Sequence, residues 1–117
     1  MHPLAVLVHV DDVEEGQKWY RKAFPEAIPV YLKESDFTIL DLNGFSIEIV
    51  QADNKVGIGK QGTVLYWSTT TFSDSLVHFK SLGATLYRGP LKIEAGLLMC
   101  QLEDPFGNLI GLRGHDT

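Results

Sequence analysis

Leu102-Glu103-Asp104-Pro105-Phe106-Gly107-Asn108-Leu109-Ile110-Gly111-Leu112-Arg113 decides how this 117-residue chain is read. It is an apolar strand end, a tight Asp-Pro-Phe-Gly turn and a second apolar strand. Pro105 presets φ for the turn, and Gly107 takes the positive φ that closes it. A fainter copy lies upstream, in Asp41-Leu42-Asn43-Gly44-Phe45-Ser46-Ile47-Glu48-Ile49. A shift of 63 positions puts Asp41 on Asp104, Gly44 on Gly107, Ile47 on Ile110, Glu48 on Gly111 and Ile49 on Leu112. Asn43-Gly44 between apolar runs is itself a hairpin signal. Repeated turn chemistry and strand pattern predict two copies of one supersecondary unit.

The pattern extends outward from both copies. Residues 4–10 are an apolar, β-branched run and read as a buried strand. Asp12 is the N-cap of a helix, with Glu15 completing a capping box. Val13, Gly16, Tyr20, Ala23 and Phe24 form its buried face, and Pro25 stops it. Strands follow at 28–32, 37–42 and 45–50. Residues 51–62 hold Asp53, Asn54, Gly57, Gly59 and Gly62 and read as a linker. Gly57-Ile58-Gly59 lacks the third glycine and the following helix of a phosphate loop. The order then repeats. A strand covers 63–69, and Thr71 caps a helix whose buried face is Phe72, Leu76, Phe79 and Leu82. Gly83 ends that helix, and strands follow at 84–92, 97–102 and 109–113. The helix starts are 59 residues apart and the late strands 63, so four residues of loop length separate the two offsets.

Composition narrows the function. Apolar residues make up 44% and charged residues 21%, which suits a soluble globular chain. No apolar run approaches the ~20 residues that span a bilayer, and no secretory signal is visible, so no membrane partner is expected. Cys100 is the single cysteine; it excludes an internal disulfide and fits a reducing, cytoplasmic location. The formal net charge of −5 argues against nucleic acid, whose phosphates need a basic face.

Paired βαβββ modules, Val10-Asp11-Asp12-Val13 at a helix start, Trp19-Tyr20 behind it and Asp-Pro-x-Gly-Asn-Leu-Ile at 104–110 carry a resemblance. The chain resembles the vicinal oxygen chelate superfamily, the group of glyoxalase I, extradiol dioxygenases, and fosfomycin- and bleomycin-resistance proteins. The resemblance implies an α+β fold of tandem βαβββ modules, here 1–52 and 62–117, that form a curved mixed sheet. It implies a cup on the concave side and a homodimer. In catalytic members it also implies a divalent metal held by the first and last strand of each module. Those positions fall on Ala5, Glu48, Val64 and Gly111. Only Glu48 has ligand chemistry, so no metal of the usual kind and no cofactor is expected.

His9 shares a strand face with Ala5 and Leu7, the cup face in the family register. With Glu48 it offers half a metal site or a general base tuned by a carboxylate; the reading preferred over these is a strand-end histidine with a satisfied hydrogen bond. The same alternation sends Tyr66, Ser68, Met99, Gln101, Glu103, Leu109 and Arg113 to the cup, and Trp67 and Cys100 to the helix side. Tyr31 and Phe37 add aromatic faces if their strands turn them inward. His2, His78 and His115 show no ligand spacing. Two functions remain. One is a metal-free protein that binds a small organic molecule in the cup, with Glu48 and Glu103 favouring a neutral or cationic aromatic over an anion. The other is a metal-dependent lyase, isomerase or dioxygenase with an atypical ligand set.

Overall fold

The computed structural model describes residues 1–116. The elements run β1 (Ala5–Val10), α1 (Val13–Ala23), β2 (Ile28–Leu32), β3 (Phe37–Leu42), β4 (Phe45–Gln51), β5 (Tyr66–Thr69), α2 (Phe72–Ser81), β6 (Thr85–Lys92), a 3-10 turn (Glu94–Gly96), β7 (Leu98–Glu103) and β8 (Leu109–Gly114). This is the tandem βαβββ order expected from the repeat, and the class is α+β. The chain divides into two units, one ending at Ile58 and the other beginning at Gly59. Among the described residues, no helix is long and apolar enough to cross a membrane.

In the first unit the sheet order is β1-β4-β3-β2, with β1 parallel to β4 and the other pairs antiparallel. Asp12 starts α1 as a capping residue should: its Oδ1 accepts the Glu15 N–H at 3.1 Å. Glu14 and Glu15 in the first turn, and Arg21 and Lys22 in the last, complement the helix dipole. At Gly16 the helix lies so close to the sheet that a Cβ would come within 2.7 Å of Ile49 Cγ2. That contact fixes which face of the sheet meets α1. Val10, Ile47 and Ile49 lie on the helix side with Leu40, the cross-strand partner of Ile47. They form the core with Tyr20 and Ala23. Each large apolar side chain buried there contributes ~1.5–3 kcal/mol.

The second unit repeats the plan. Its order is β5-β8-β7-β6, with β5 parallel to β8. Phe72 and Phe79 of α2, Cys100 and Leu102 of β7, and Ile110 and Leu112 of β8 are buried as its core. The two sequence offsets are both present in the register. Leu7 pairs with Glu48 in the first unit, and Tyr66 pairs with Gly111 in the second. Tyr66 lies 59 residues beyond Leu7, and Gly111 lies 63 beyond Glu48.

The deciding turn owes its order to Asp104. The residue is 2% exposed, and its Oδ1 accepts the N–H groups of Phe106 and Asn108, both at 2.9 Å. Gly107 takes φ +99°. In the upstream copy Asn43 and Gly44 have φ +53° and +90°, the pair of positive values that a two-residue hairpin needs.

Three local expectations change. β5 begins at Tyr66 rather than Thr63, so Val64 lies outside it. Thr71 occupies the N-cap position of α2, but its side chain makes no capping bond. Asp116 does that work instead: its Oδ1 accepts the Ser73 N–H at 2.7 Å and its Oδ2 the Ser73 hydroxyl at 2.5 Å. The 3-10 turn before β7 is the third change, with Ala95 at φ +61°.

Candidate functional site

In the second unit, cross-strand pairing places Tyr66, Ser68, Met99, Gln101, Glu103, Leu109, Gly111 and Arg113 on the sheet face opposite α2. Trp67, Cys100 and Leu112 fall on the helix side. Tyr66 is the centre of that helix-free face. Its ring lies flat on Gly111, where a Cβ would come within 2.7 Å of two ring carbons. Gln101 Nε2 donates to the Tyr66 hydroxyl at 2.7 Å. The Arg113 guanidinium sits over the ring, 4.6 Å from its centroid. The tyrosine is therefore packed against Gly111, bonded at its hydroxyl and in contact with the Arg113 guanidinium. Only glycine at 111 allows this.

Beside Tyr66, at the C-terminal ends of β5 and β8, a cavity of about 340 Å³ opens. Tyr66, Trp67, Ser68, Leu97, Arg113 and His115 are among its lining residues. His115 Nε2 lies 3.0 Å from the Ala95 carbonyl oxygen. A carbonyl only accepts, so Nε2 carries the hydrogen, and Nδ1 of the neutral ring is an acceptor. His115 lies near the terminus and shows no ligand spacing, so the sequence does not single it out. The alternation 109, 111, 113 continues one step to 115, and that was the available signal. Leu97, expected as the first residue of a strand, instead follows the 3-10 turn and precedes β7.

The charges on this face differ from the expectation. The Glu103 carboxylate pairs with Lys60 Nζ at 3.4 Å. Glu103 is four residues along β7 from Met99, the partner of Arg113, or ~13 Å at the strand rise. Among the described residues Arg113 has no carboxylate partner. The second unit holds five basic and five acidic residues, so the whole formal charge of −5 resides in the first. Asp116, nearest in sequence to His115, is turned to Ser73.

In the first unit, Ala5, Leu7, His9, Ser46, Glu48, Val50, Ile39 and Phe37 share the face opposite α1. His9 pairs with Val50 and Glu48 with Leu7, so His9 and Glu48 are on one face, two residues apart in register. The Asp53 carboxyl is held below its usual range chiefly by the Val56 and Lys55 N–H groups, with a smaller contribution from the charge of His9. Ser46 Oγ is buried and has no hydrogen-bond partner among the described residues. Tyr31 corrects the expectation. It pairs with Thr38, beside Leu40, and so lies on the helix side, whereas Phe37 lies on the opposite face. Its hydroxyl donates to Asp36 Oδ1 at 2.5 Å, which raises its pKa and ties it to the β2–β3 turn.

The side chains do not fit the metal that the resemblance implies for catalytic members. Position 111 has no room for a ligand beneath Tyr66, and Ala5 and Val64 have no donor atoms. Among the described residues, no three His, Cys, Asp or Glu side chains gather to hold an ion. Nor is Cys100 a nucleophile: burial pushes its thiol up to about 11, far from the reactive range.

Solved structures share this fold. A glyoxalase/bleomycin resistance protein/dioxygenase family enzyme from Burkholderia phytofirmans PsJN superposes with a TM-score of 0.74 at 18% identity, covering 95% of this chain and 96% of that one. A glyoxalase/bleomycin resistance protein from Albidiferax ferrireducens T118 gives 0.72 at 20% identity, over 95% and 96% of the two chains. An integron cassette protein from the mobile metagenome of V. cholerae gives 0.73 at 24% identity, over 97% and 94%. No family model matches the chain, and no curated protein matches it in sequence. The fold is therefore that of the vicinal oxygen chelate proteins.

Proposed function

We propose that this chain, built on the glyoxalase/bleomycin-resistance fold, binds a small organic molecule on the helix-free faces of its sheets without the metal of the catalytic members, and works as a homodimer. The observation that carries the reading is Tyr66 lying on Gly111. A position where the fold's enzymes would place a metal ligand is here spent on seating an aromatic ring, clamped by Gln101 and Arg113. A rigid aromatic surface with a few fixed polar groups is what small-molecule sites use. Met99 and Leu109 extend its apolar area. His9, Phe37 and Glu48 are the first unit's candidates for the same role.

The test is a thermal-shift screen of neutral, cationic and anionic small molecules, repeated after EDTA treatment and on Tyr66→Ala. A specific binder held at 100 times its Kd stabilises by ~2.7 kcal/mol. The expected result is stabilisation by one chemical class, kept in EDTA and lost in Tyr66→Ala. The alternative, a metal-dependent enzyme using His9 and Glu48, predicts binding or turnover that EDTA abolishes and a divalent ion restores. That outcome overturns the proposal.

A further inference from the structure

We propose that the molecule bound by the second unit is a small organic acid, with its carboxylate on Arg113 and its apolar or aromatic body in the cavity at the ends of β5 and β8. This rests on the small-molecule reading of the same face and adds the ligand class. Four observations converge on it.

Arg113 is exposed and carries no acidic partner among the described residues, yet it is not loose. Its guanidinium carbon lies over the Tyr66 ring, 4.6 Å from the centroid, and Gln101 holds the tyrosine in turn. A guanidinium resting on an aromatic ring still has N–H groups for an acceptor, and a carboxylate fits that fork with two parallel hydrogen bonds. Second, Ser68 pairs in register with Arg113 on the same face, which adds a hydroxyl to the lining of the same cavity. Third, Tyr66 and Leu97 give the cavity apolar wall, and its volume of about 340 Å³ suits a ligand of one ring. That is near the lower end of the ~300–1,000 Å³ typical of ligand pockets. His115 Nδ1 adds an acceptor for a hydroxyl on such a ring.

The fourth observation is the local charge. Lys60 neutralises Glu103, Asp116 is occupied by Ser73, and Arg88 lies opposite Gln101 on the same face. The net −5 of the chain, which would repel an anion, sits in the other unit's sequence. A single fixed guanidinium at the cavity matches one carboxylate charge better than a dianionic phosphate. It also occupies the Tyr66 face that a cationic ligand would otherwise use.

The experiment is isothermal titration of the whole chain with benzoate, benzamide, benzylamine and phenyl phosphate. It is repeated on Arg113→Gln, Arg113→Lys and Tyr66→Ala, each first shown to be folded by circular dichroism. Benzoate should bind and benzamide and benzylamine should not. Arg113→Gln should weaken benzoate about ten- to a hundredfold, the value of a charge-assisted hydrogen bond, and Arg113→Lys should recover only part of it. Equal binding of benzoate and benzamide, benzoate binding unchanged in Arg113→Gln, or tighter binding of phenyl phosphate would each overturn the carboxylate. If benzamide or benzylamine binds instead and Tyr66→Ala abolishes it, the acid proposal falls while the small-molecule reading stands. If none of the four binds, and the wider thermal-shift screen is also empty, both fall.

Discussion

Gly111 stands where the resemblance implies a metal ligand in catalytic members, and a glycine there reads in the sequence as an apparent loss. In the structure it is the seat of the Tyr66 ring, and a Cβ would stand 2.7 Å from that ring. Gly111→Ala should therefore destabilise the protein by ~1–3 kcal/mol, the range for overpacking a filled site. Adding Tyr66→Ala should return much of that loss, since the two sites touch and their effects are not additive. Urea denaturation of the single and double variants checks this; additive losses would show that the ring and the glycine are independent. The contact was half legible. Alternation put Tyr66 and Gly111 on one face, but their direct pairing depends on strand register, which no local signal reports. Tyr31 failed for the same reason. Its direction follows from pairing with Thr38 rather than from its neighbours in the chain.

At the scale of the element, the parts written in local chemistry were legible and the parts closed by distant residues were not. The two hairpin turns, the Asp12 cap and β2 and β3 follow from Asn-Gly, Asp-Pro-x-Gly, capping and alternation. The start of α2 does not. Its cap comes from Asp116, 43 residues beyond Ser73 in the chain. The Ser73 hydroxyl and then its N–H hold the Asp116 carboxyl below its usual pKa. A carboxyl lowered in the folded state binds its proton less readily there than when unfolded. Its stabilisation is present at neutral pH and is lost as pH falls below ~4 and the group protonates. Asp116→Asn should therefore lower the melting temperature at pH 7, with the difference from wild type shrinking as pH falls below ~4. Melting curves across that range test it. A deficit that stays constant with pH would mean that the carboxylate charge does not support the helix.

On the scale of the whole molecule, two features of the surface bear on assembly. The face of the first sheet opposite α1 carries Leu7, Ile28, Val30 and Leu32, which are 51%, 62%, 38% and 39% exposed. Ile28, Val30 and Leu32 line the β2 edge and Leu7 the β1 edge, and exposed apolar side chains in a row of this kind are characteristic of surfaces that associate. The charge is equally uneven. The first unit bears the entire net −5, with Asp41 and Glu48 on this same face, whereas the second unit is formally neutral and shows Arg88 and Arg113 on its own helix-free face. Two first-unit faces opposed in a dimer would bring like charges together and weaken contact. A first-unit face against a second-unit face of the partner copy brings carboxylates to Arg88, leaves Arg113 to the cavity at the ends of β5 and β8, and covers exposed apolar side chains. The proposed homodimer should therefore use the second arrangement. Its dissociation constant should rise with salt, because surface attraction is screened over ~8–10 Å at physiological ionic strength. Sedimentation equilibrium should show a dimer at high micromolar concentration that loosens between 50 mM and 500 mM sodium chloride. Val30→Asp, placed among the exposed apolar residues, should leave a monomer. A chain that stays monomeric at high micromolar concentration would end the dimer proposal, and a dimer that tightens with salt would place like-charged faces together instead.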